Sequence, residues 1–395
     1  MKKTSFIHPT FALWALLCLT AFISPLQAGS LAQPAASEIK SQMKQWQQQY
    51  QLPSLSLAIS LDDKVVFADA VGFADIESKK KASVQTQYSV GSLAKPMTGL
   101  AVARLIDSNK LHIDNSVADY LTDYPQYNQI SIKQLASHTA GISRPWEERN
   151  NREFESPRDH ASPFESIGLV SDKPLKFTPG TSFQYTSMGY VVLSAVIETT
   201  AQQPYTDYMT KQVFAPLGMH STVLDDSSAG KQSEATYYSK KIDESTFELA
   251  VSKRDRSFLF GGGGYISSPS DLVKMAKAFS GSHFISEDTQ SLLLTPVKMN
   301  NGEINPQGYS IGWRVKQIED PIIENKKVTV IHHGGITHKA STAFIVIIPE
   351  YRAALAYATN TDPKDFWKAR EESIALLFKL YHAKHSLSEN TREPL

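Results

Sequence analysis

The sequence predicts an α+β fold: an antiparallel β-sheet flanked by N- and C-terminal helices, with a mostly helical subdomain inserted between the strands. Three observations carry that expectation. Residues 54–60 and 65–71 alternate apolar and polar side chains around Leu61-Asp62-Asp63-Lys64, a β-hairpin signal. The last third returns to strand-like runs at 312–315, 328–333, 343–348 and 353–358. Between them, from Ser92 to about Thr210, the apolar spacing is helical. Strands, then helices, then strands argue for one layered architecture with an insertion. A chain of 395 residues is long enough for two structural units or one composite domain.

The elements follow in order. Lys2 and Lys3 precede an apolar run over 11–23 that is short for a membrane span, and Ser24-Pro25-Leu26-Gln27-Ala28 breaks it. Residues 1–28 therefore read as a secretory signal peptide, with a retained anchor as the competing reading because Leu26 is bulky for a cleavage site. Residues 28–34 form a tether. Ile39, Met43 and Trp46 mark one face of a helix over 37–50, and the hairpin comes next. Lys79-Lys80-Lys81 reads as a solvated loop. Ser131 to Gly141 looks like a capped short helix, 144–159 like a long surface loop, and 190–199 and 205–214 like helices. Residues 225–248 are polar, and Pro269-Ser270-Asp271 caps a helix through Phe279. A last amphipathic helix is expected over 366–382. The expected domains are a sheet region over 29–90 and 255–385, a helical insertion over 91–254, and a flexible tail over 386–395.

Composition narrows function by exclusion. Lys plus Arg equals Asp plus Glu at 40 each, which gives no electrostatic case for nucleic acid or an acidic membrane surface. Removing residues 1–28 leaves 38 basic against 40 acidic residues. The single cysteine, Cys18, lies in the apolar run, and Leu17 before it argues against lipid attachment. The mature chain then has no cysteine, which excludes disulfides, thiol chemistry and thiolate metal sites. The chain reads as periplasmic or secreted, with no stable span after signal cleavage.

Chemistry enters at Gly91-Ser92-Leu93-Ala94-Lys95-Pro96. Pro96 is tolerated only near a helix start, and Met97, Leu100, Ala101 and Leu105 continue a helical period. Ser92 and Lys95 then share one face of the first turn. Burial disfavours the lysine's charge, which makes Lys95 a candidate base for Ser92. The same spacing recurs at Ser37/Lys40, Ser41/Lys44, Ser78/Lys81 and Ser228/Lys231, but only Ser92/Lys95 opens an apolar helix. Tyr185, with Ser187 two residues on, precedes an apolar helix. A tyrosine there acts as a base if lysine charge depresses its pKa, or simply packs. In Ile331-His332-His333-Gly334-Gly335-Ile336 the glycines let an edge strand approach a ligand, and the Ile336 N–H can pair with that of Ser92 as an oxyanion hole. His333 is placed to bond the substrate or the tyrosine. His332, His333 and His338 lack a further ligand at metal-like spacing, so no metal and no cofactor is expected. Gly261 to Gly264 lacks the strand, helix and lysine of a phosphate loop and reads as close backbone packing beside the site.

Taken together, Ser92-x-x-Lys95, Tyr185-x-Ser187 and His333-Gly334-Gly335 resemble, in order and approximate spacing, the serine β-lactamase-related family of class C β-lactamases, D-Ala-D-Ala carboxypeptidases, D-aminopeptidases and family VIII esterases. Leu135 to Gly141 is similar to that family's LLxHTSG segment. Pro179-Gly180, Gly189-Tyr190, Pro216 to Met219, Gly263-Gly264 with Asp271, Gly312-Trp313 and Pro349-Glu350 match its landmarks, so the resemblance spans about 37–381. It implies a β-lactamase/transpeptidase-like fold and an acyl-enzyme on Ser92. Lys95 and Tyr185 would share the proton, the Ser92 and Ile336 amides would hold the oxyanion, and Ser187, His333, Gly334 and Gly335 would line the substrate. His138 is expected to be structural. Three departures stand out: Ser187 in place of asparagine, His333 in place of a fixed lysine cation, and Lys339 in place of glycine. They favour ester or amide cleavage on a small-molecule or peptide substrate, cell-wall-derived material included. The alternatives are a D-Ala-D-Ala carboxypeptidase or weak class C-like β-lactamase, and a penicillin-binding or sensing module without efficient turnover.

Overall fold

The structure, a computed structural model, describes residues 31, 33–144, 162–226, 233–240, 247–250, 256–281, 283–363 and 365–390. The expected signal peptide, nearly all of the 144–159 loop and much of 225–248 lie outside the described residues.

Seven strands form one antiparallel sheet: β1 Ser54–Leu61, β2 Lys64–Asp75, β3 Lys80–Lys81, β4 Arg314–Glu319, β5 Lys327–Thr337, β6 Ser341–Ile348 and β7 Ala353–Thr359. Their spatial order is β3-β2-β1-β7-β6-β5-β4, so the N-terminal hairpin completes a sheet built mostly from the chain's last third. Alternation sorts the central strands between two cores. Leu55, Leu57, Ile59, Phe344, Val346, Leu355 and Tyr357 face one layer of helices. Ala58, Ala343, Ile345, Ile347, Ala354, Ala356 and Ala358 face the other. Alanine at every inward position of β7 lets the helical layer approach closely. Because β1 is covered on both faces, all eight of its residues are buried. The lysines expected in a loop at 79–81 include the two-residue exposed edge strand β3.

Helix α1, Gln33–Gln49, buries Ile39, Met43 and Trp46 on the outer face of the sheet, the spacing read from sequence. Beside it runs α4, Ala369–Asn390, which continues past the expected end at His382. Lys384 donates to Asp62 at 2.5 Å, giving the extra turns a partner on the β1–β2 turn. Trp46 Nε1 donates to Glu372 at 2.6 Å and Lys379 to Glu38 at 2.5 Å, so α1 and α4 lie antiparallel. The buried carboxylate of Asp320 accepts from the Tyr351 hydroxyl, from the Ile322 and Ile323 amides and, at 2.9 Å, pairs with His382 Nε2.

The inner layer holds α2, Ala94–Asp107, and α3, Met188–Ala201. Helix α3 is apolar all round, so it is buried from Met188 through Ile197. The short helix Ile132–Ala136 begins with a capping box: Ser131 Oγ accepts from the Gln134 amide at 3.1 Å and Gln134 Oε1 from the Ser131 amide at 2.9 Å. It ends at Ala136, short of Gly141, because His138 and Gly141 take positive φ. The helix expected over 205–214 is α-helical only through Tyr208 and becomes a π-turn over Met209–Phe214. Ser268, one residue ahead of the expected cap, caps the helix before Phe279 by accepting from Asp271 N. A three-stranded sheet of Tyr88–Ser89, Tyr265–Ser267 and Val223–Leu224 leads straight into the turn that carries Ser92.

Candidate active site

Ser92 sits in a single 3-10 turn, Gly91–Leu93, that runs into α2. Gly91 has φ +50°, and a β-carbon there would come 3.0 Å from the Ile336 carbonyl oxygen. That close approach brings the Ser92 turn against β5. Ser92 is half-buried, whereas Lys95, one turn on, has no exposure. Lys95 Nζ lies 3.2 Å from Ser92 Oγ, 3.0 Å from Ser187 Oγ and 2.6 Å from the Gly262 carbonyl. Burial, reinforced by the positive charge of Arg314, holds its pKa well below the ordinary lysine value. A neutral amine has two N–H bonds and one lone pair. Gly262 and Ser187 accept the two hydrogens, and the lone pair is left facing Ser92.

The Tyr185-Thr186-Ser187 segment is placed by the start of α3: Met188 N donates to Thr186 Oγ1 at 3.2 Å, and Thr186 N to His138 Nδ1 at 3.3 Å. The Tyr185 ring lies 4.8 Å from Lys95 Nζ and 4.2 Å from the His138 ring. Sequence reasoning allowed a depressed Tyr185 pKa. The structure reverses that direction, because burial pushes it up to about 12, and Arg314 and a hydrogen bond with Ser92 only partly oppose the rise. Tyr185 is therefore a protonated hydroxyl at neutral pH. Three of the four glycines, Gly261, Gly262 and Gly264, pack closely, as expected, and Gly263 does not: a β-carbon at Gly262 would meet the Ser187 carbonyl oxygen at 2.5 Å, whereas one at Gly263 would find nothing nearer than 3.4 Å.

On β5 the two glycines do different things. Gly335 lies against the Ser92 turn, where a β-carbon would be 1.9 Å from the Val90 carbonyl oxygen. Gly334 points to the outer face, where a β-carbon would meet the Arg370 guanidinium at 2.9 Å. The Ile336 backbone runs beside Gly91 while its side chain is exposed.

His333 requires a correction. It was expected to bond the substrate or Tyr185, but it has no exposure, and both ring nitrogens are engaged within the protein. Nδ1 lies 2.8 Å from the Gly334 carbonyl, so it carries the proton, and Nε2 then accepts from the Tyr309 hydroxyl at 3.0 Å. Burial, with Arg314 and Lys95 nearby, keeps its pKa well below the usual histidine value, so it is neutral. The ring orients Tyr309, which also packs on His138 at 4.5 Å. His138 is buried behind Tyr185, a packing role as expected.

The positive charge sits instead on Arg314, which sequence reasoning missed. Its guanidinium carbon lies 5.3 Å from the Tyr185 ring centroid and 5.4 Å from that of Tyr309, and Nη2 donates to Gln307 Oε1 at 2.7 Å. It is half-buried and depresses Lys95, His332 and His333 together. The available signal was a cation immediately after Gly312-Trp313. Lys339, by contrast, is exposed with φ +55°, a backbone conformation that favours glycine. Among the described residues no group of three or more His, Cys, Asp or Glu side chains is placed to hold a metal ion.

Comparison with known proteins places the chain in a family and a fold. The sequence profile described as Beta-lactamase matches residues 35–378. The mitochondrial serine beta-lactamase-like protein LACTB of Mus musculus is 22% identical over 407 residues, covering 79% of this chain and 72% of LACTB. Penicillin-binding protein 4* of Bacillus subtilis is 24% identical over 313 residues, covering 75% of this chain and 66% of that protein. The octameric penicillin-binding protein homologue from Pyrococcus abyssi superposes with a TM-score of 0.68 at 22% identity, covering 89% of this chain and 77% of that one, and so shares the fold. The chain belongs to the Beta-lactamase family of serine hydrolases.

Proposed function

We propose that the chain is an exported serine hydrolase that cleaves an ester or amide through an acyl-enzyme on Ser92. One observation carries the reading: the buried amine of Lys95 lies 3.2 Å from Ser92 Oγ, with its other two neighbours both acceptors. Lys95 takes the proton of the Ser92 hydroxyl as Oγ bonds to the substrate carbonyl carbon. The Ser92 and Ile336 amides hold the resulting oxyanion, each such donor contributing roughly 3 kcal/mol to lowering the barrier. Tyr185, protonated at neutral pH, gives a proton to the departing alcohol or amine and recovers one from Lys95. Water then attacks the acyl carbon by the same route in reverse, releasing the acid and restoring Ser92.

Export rests on the basic start and apolar run within residues 1–28. Among the described residues no helix is long and apolar enough to cross a membrane. The test is a panel of activated esters, D-amino-acid peptides and a chromogenic cephalosporin, with Ser92→Ala as the blank. Wild-type turnover surviving in that variant, or a fluorophosphonate adduct on another serine, overturns the reading.

Arg314 favours a second reading within the same chemistry. A guanidinium held beside Tyr185 by Gln307 suits a substrate carrying a carboxylate, as a D-Ala-D-Ala peptide or a β-lactam does. Arg314→Gln then raises KM for carboxylate-bearing substrates and spares neutral esters. An equal loss on both classes sinks it.

A further inference from the structure

The oxyanion hole needs two chain segments, the Ser92 turn and the end of β5, to keep one mutual register. Among the described residues no main-chain hydrogen bond joins 89–92 to 335–341. What joins them is a set of buried hydroxyls. Ser89 Oγ donates to Asp225 Oδ2 at 3.0 Å. Its only hydrogen is thereby used, so the Thr337 hydroxyl, 3.1 Å away, donates to Ser89 Oγ. Ser341 Oγ donates to the Ser89 carbonyl at 2.5 Å. Ser89, Thr337, Ser341 and Asp225 are each less than a tenth exposed. Asp225 is itself moored by its amide, which donates at 2.8 Å to the carbonyl of Gly264, two residues beyond the Gly262 that accepts from Lys95.

We infer that Thr337, Ser89 and Asp225 form a positioning chain that sets the spacing of the Ser92 and Ile336 amides. The inference rests on the reading of those amides as the oxyanion hole. Thr337 directly follows Ile336, and Ser89 lies three residues before Ser92. A slip between the hydroxyls is therefore a slip of the hole. The carboxylate at the end of the chain fixes the direction of both hydroxyl hydrogens, so the two segments have one favoured register. Such a device acts on the transition state and not on substrate capture, because the ground-state carbonyl makes weaker demands on the two amides.

The test compares wild type with Thr337→Val, which keeps the shape and loses the hydroxyl, and Thr337→Ser, which keeps the hydroxyl. Four quantities are measured: kcat and KM on an activated ester, the affinity of a boronic acid that forms a tetrahedral adduct, the rate of fluorophosphonate labelling of Ser92, and Tm. Thr337→Val is expected to lower kcat and boronate affinity together by roughly 10- to 100-fold, as a misplaced reacting geometry does, with KM within about twofold. Thr337→Ser is expected to restore both. Should the valine variant fail to fold, Ser89→Ala removes the middle hydroxyl and is read the same way. The inference is overturned if the folded variants keep wild-type kcat and boronate affinity, if serine does not rescue, or if kcat falls while boronate affinity stays constant. If wild-type Ser92 takes no label at all, the nucleophile assignment itself has failed, and that result is distinct from a labelled wild type whose variants behave identically.

Discussion

The adjacent glycines of β5 allow a sharp test, because adding one methyl group at each has opposite consequences. In Gly335→Ala the new carbon would stand 1.9 Å from the Val90 carbonyl oxygen, where ordinary contact begins at 3.4 Å, so the strand and the Ser92 turn must part by about 1.5 Å. Both partners are main chain, and neither can yield by changing a rotamer. A displacement of that size separates the two amides proposed to share the oxyanion. Loss of one such donor costs roughly 3 kcal/mol of barrier, or about 10²- to 10³-fold in kcat. In Gly334→Ala the methyl group meets only the end of the Arg370 side chain, at 2.9 Å, which a small rotation relieves. That variant is expected to keep kcat/KM within about threefold, in line with an ordinary surface-facing change. The assay is steady-state hydrolysis of a p-nitrophenyl ester, with circular dichroism and Tm as fold controls. If Gly335→Ala retains a third of wild-type kcat, or if the two variants lose activity equally, the role given to Gly335 is wrong.

Other expectations follow from the charges. In the proposed mechanism the neutral form of Lys95 is the active one, so kcat/KM is expected to rise with pH through a pKa well below the ordinary 10.5. Arg314→Met removes a charge that depresses it and moves this acidic limb to higher pH, whereas an unmoved limb would remove Lys95 as its source. Lys95→Met abolishes turnover yet leaves Tm at pH 7 equal or higher. The unfolded lysine binds a proton more tightly than the buried amine, so folding is penalised at every pH below the ordinary lysine value, most below the folded pKa and less as pH rises between the two. A clear drop in Tm would contradict that sign. His333→Leu leaves the pH profile unchanged, because burial already holds the ring's pKa well below the ordinary histidine value, and costs roughly 1–3 kcal/mol of stability through the stranded Tyr309 hydroxyl. A lost titration in that variant would return His333 to the substrate. Asp320 has a depressed pKa, so its contribution is present above the ordinary carboxylate range and lost as pH falls through the folded value. Asp320→Asn should cost about 2–3 kcal/mol at pH 7, with the deficit closing in acid; a pH-independent deficit would show the charge to be irrelevant.

What was readable in the sequence was what is local. Ser92 and Lys95 meet because they are three residues apart at a helix start, and α1 shows its buried face in three side chains. The hairpin of β1 and β2 carries its own turn signal. Gly335 was readable as a close-approach position, although its partner Val90 was not. The role of His333 was hidden because it depends on Tyr309, brought from a loop 24 residues earlier with no motif of its own. Arg314 was hidden for the same reason. It acts across a strand edge on Tyr185, far away in sequence, and nothing in its neighbourhood announces the contact. The pKa direction of Tyr185 follows from the balance between burial and nearby charge, a quantity that exists only once the chain is packed.

The pairing of α1 with α4 has a mechanical consequence. Glu38 meets Lys379 and Trp46 meets Glu372, so the first turns of α1 and the later turns of α4 lie side by side. Force applied by pulling those ends apart loads the contacts one after another, like a zipper opened from its slider, and does not shear them all at once. The helix pair should peel away at low force. The β1–β2 hairpin, tied to Leu31 and to Lys384, shares that load from the start, and the Ser92 turn on the far side of the sheet bears it only after both helices have come off.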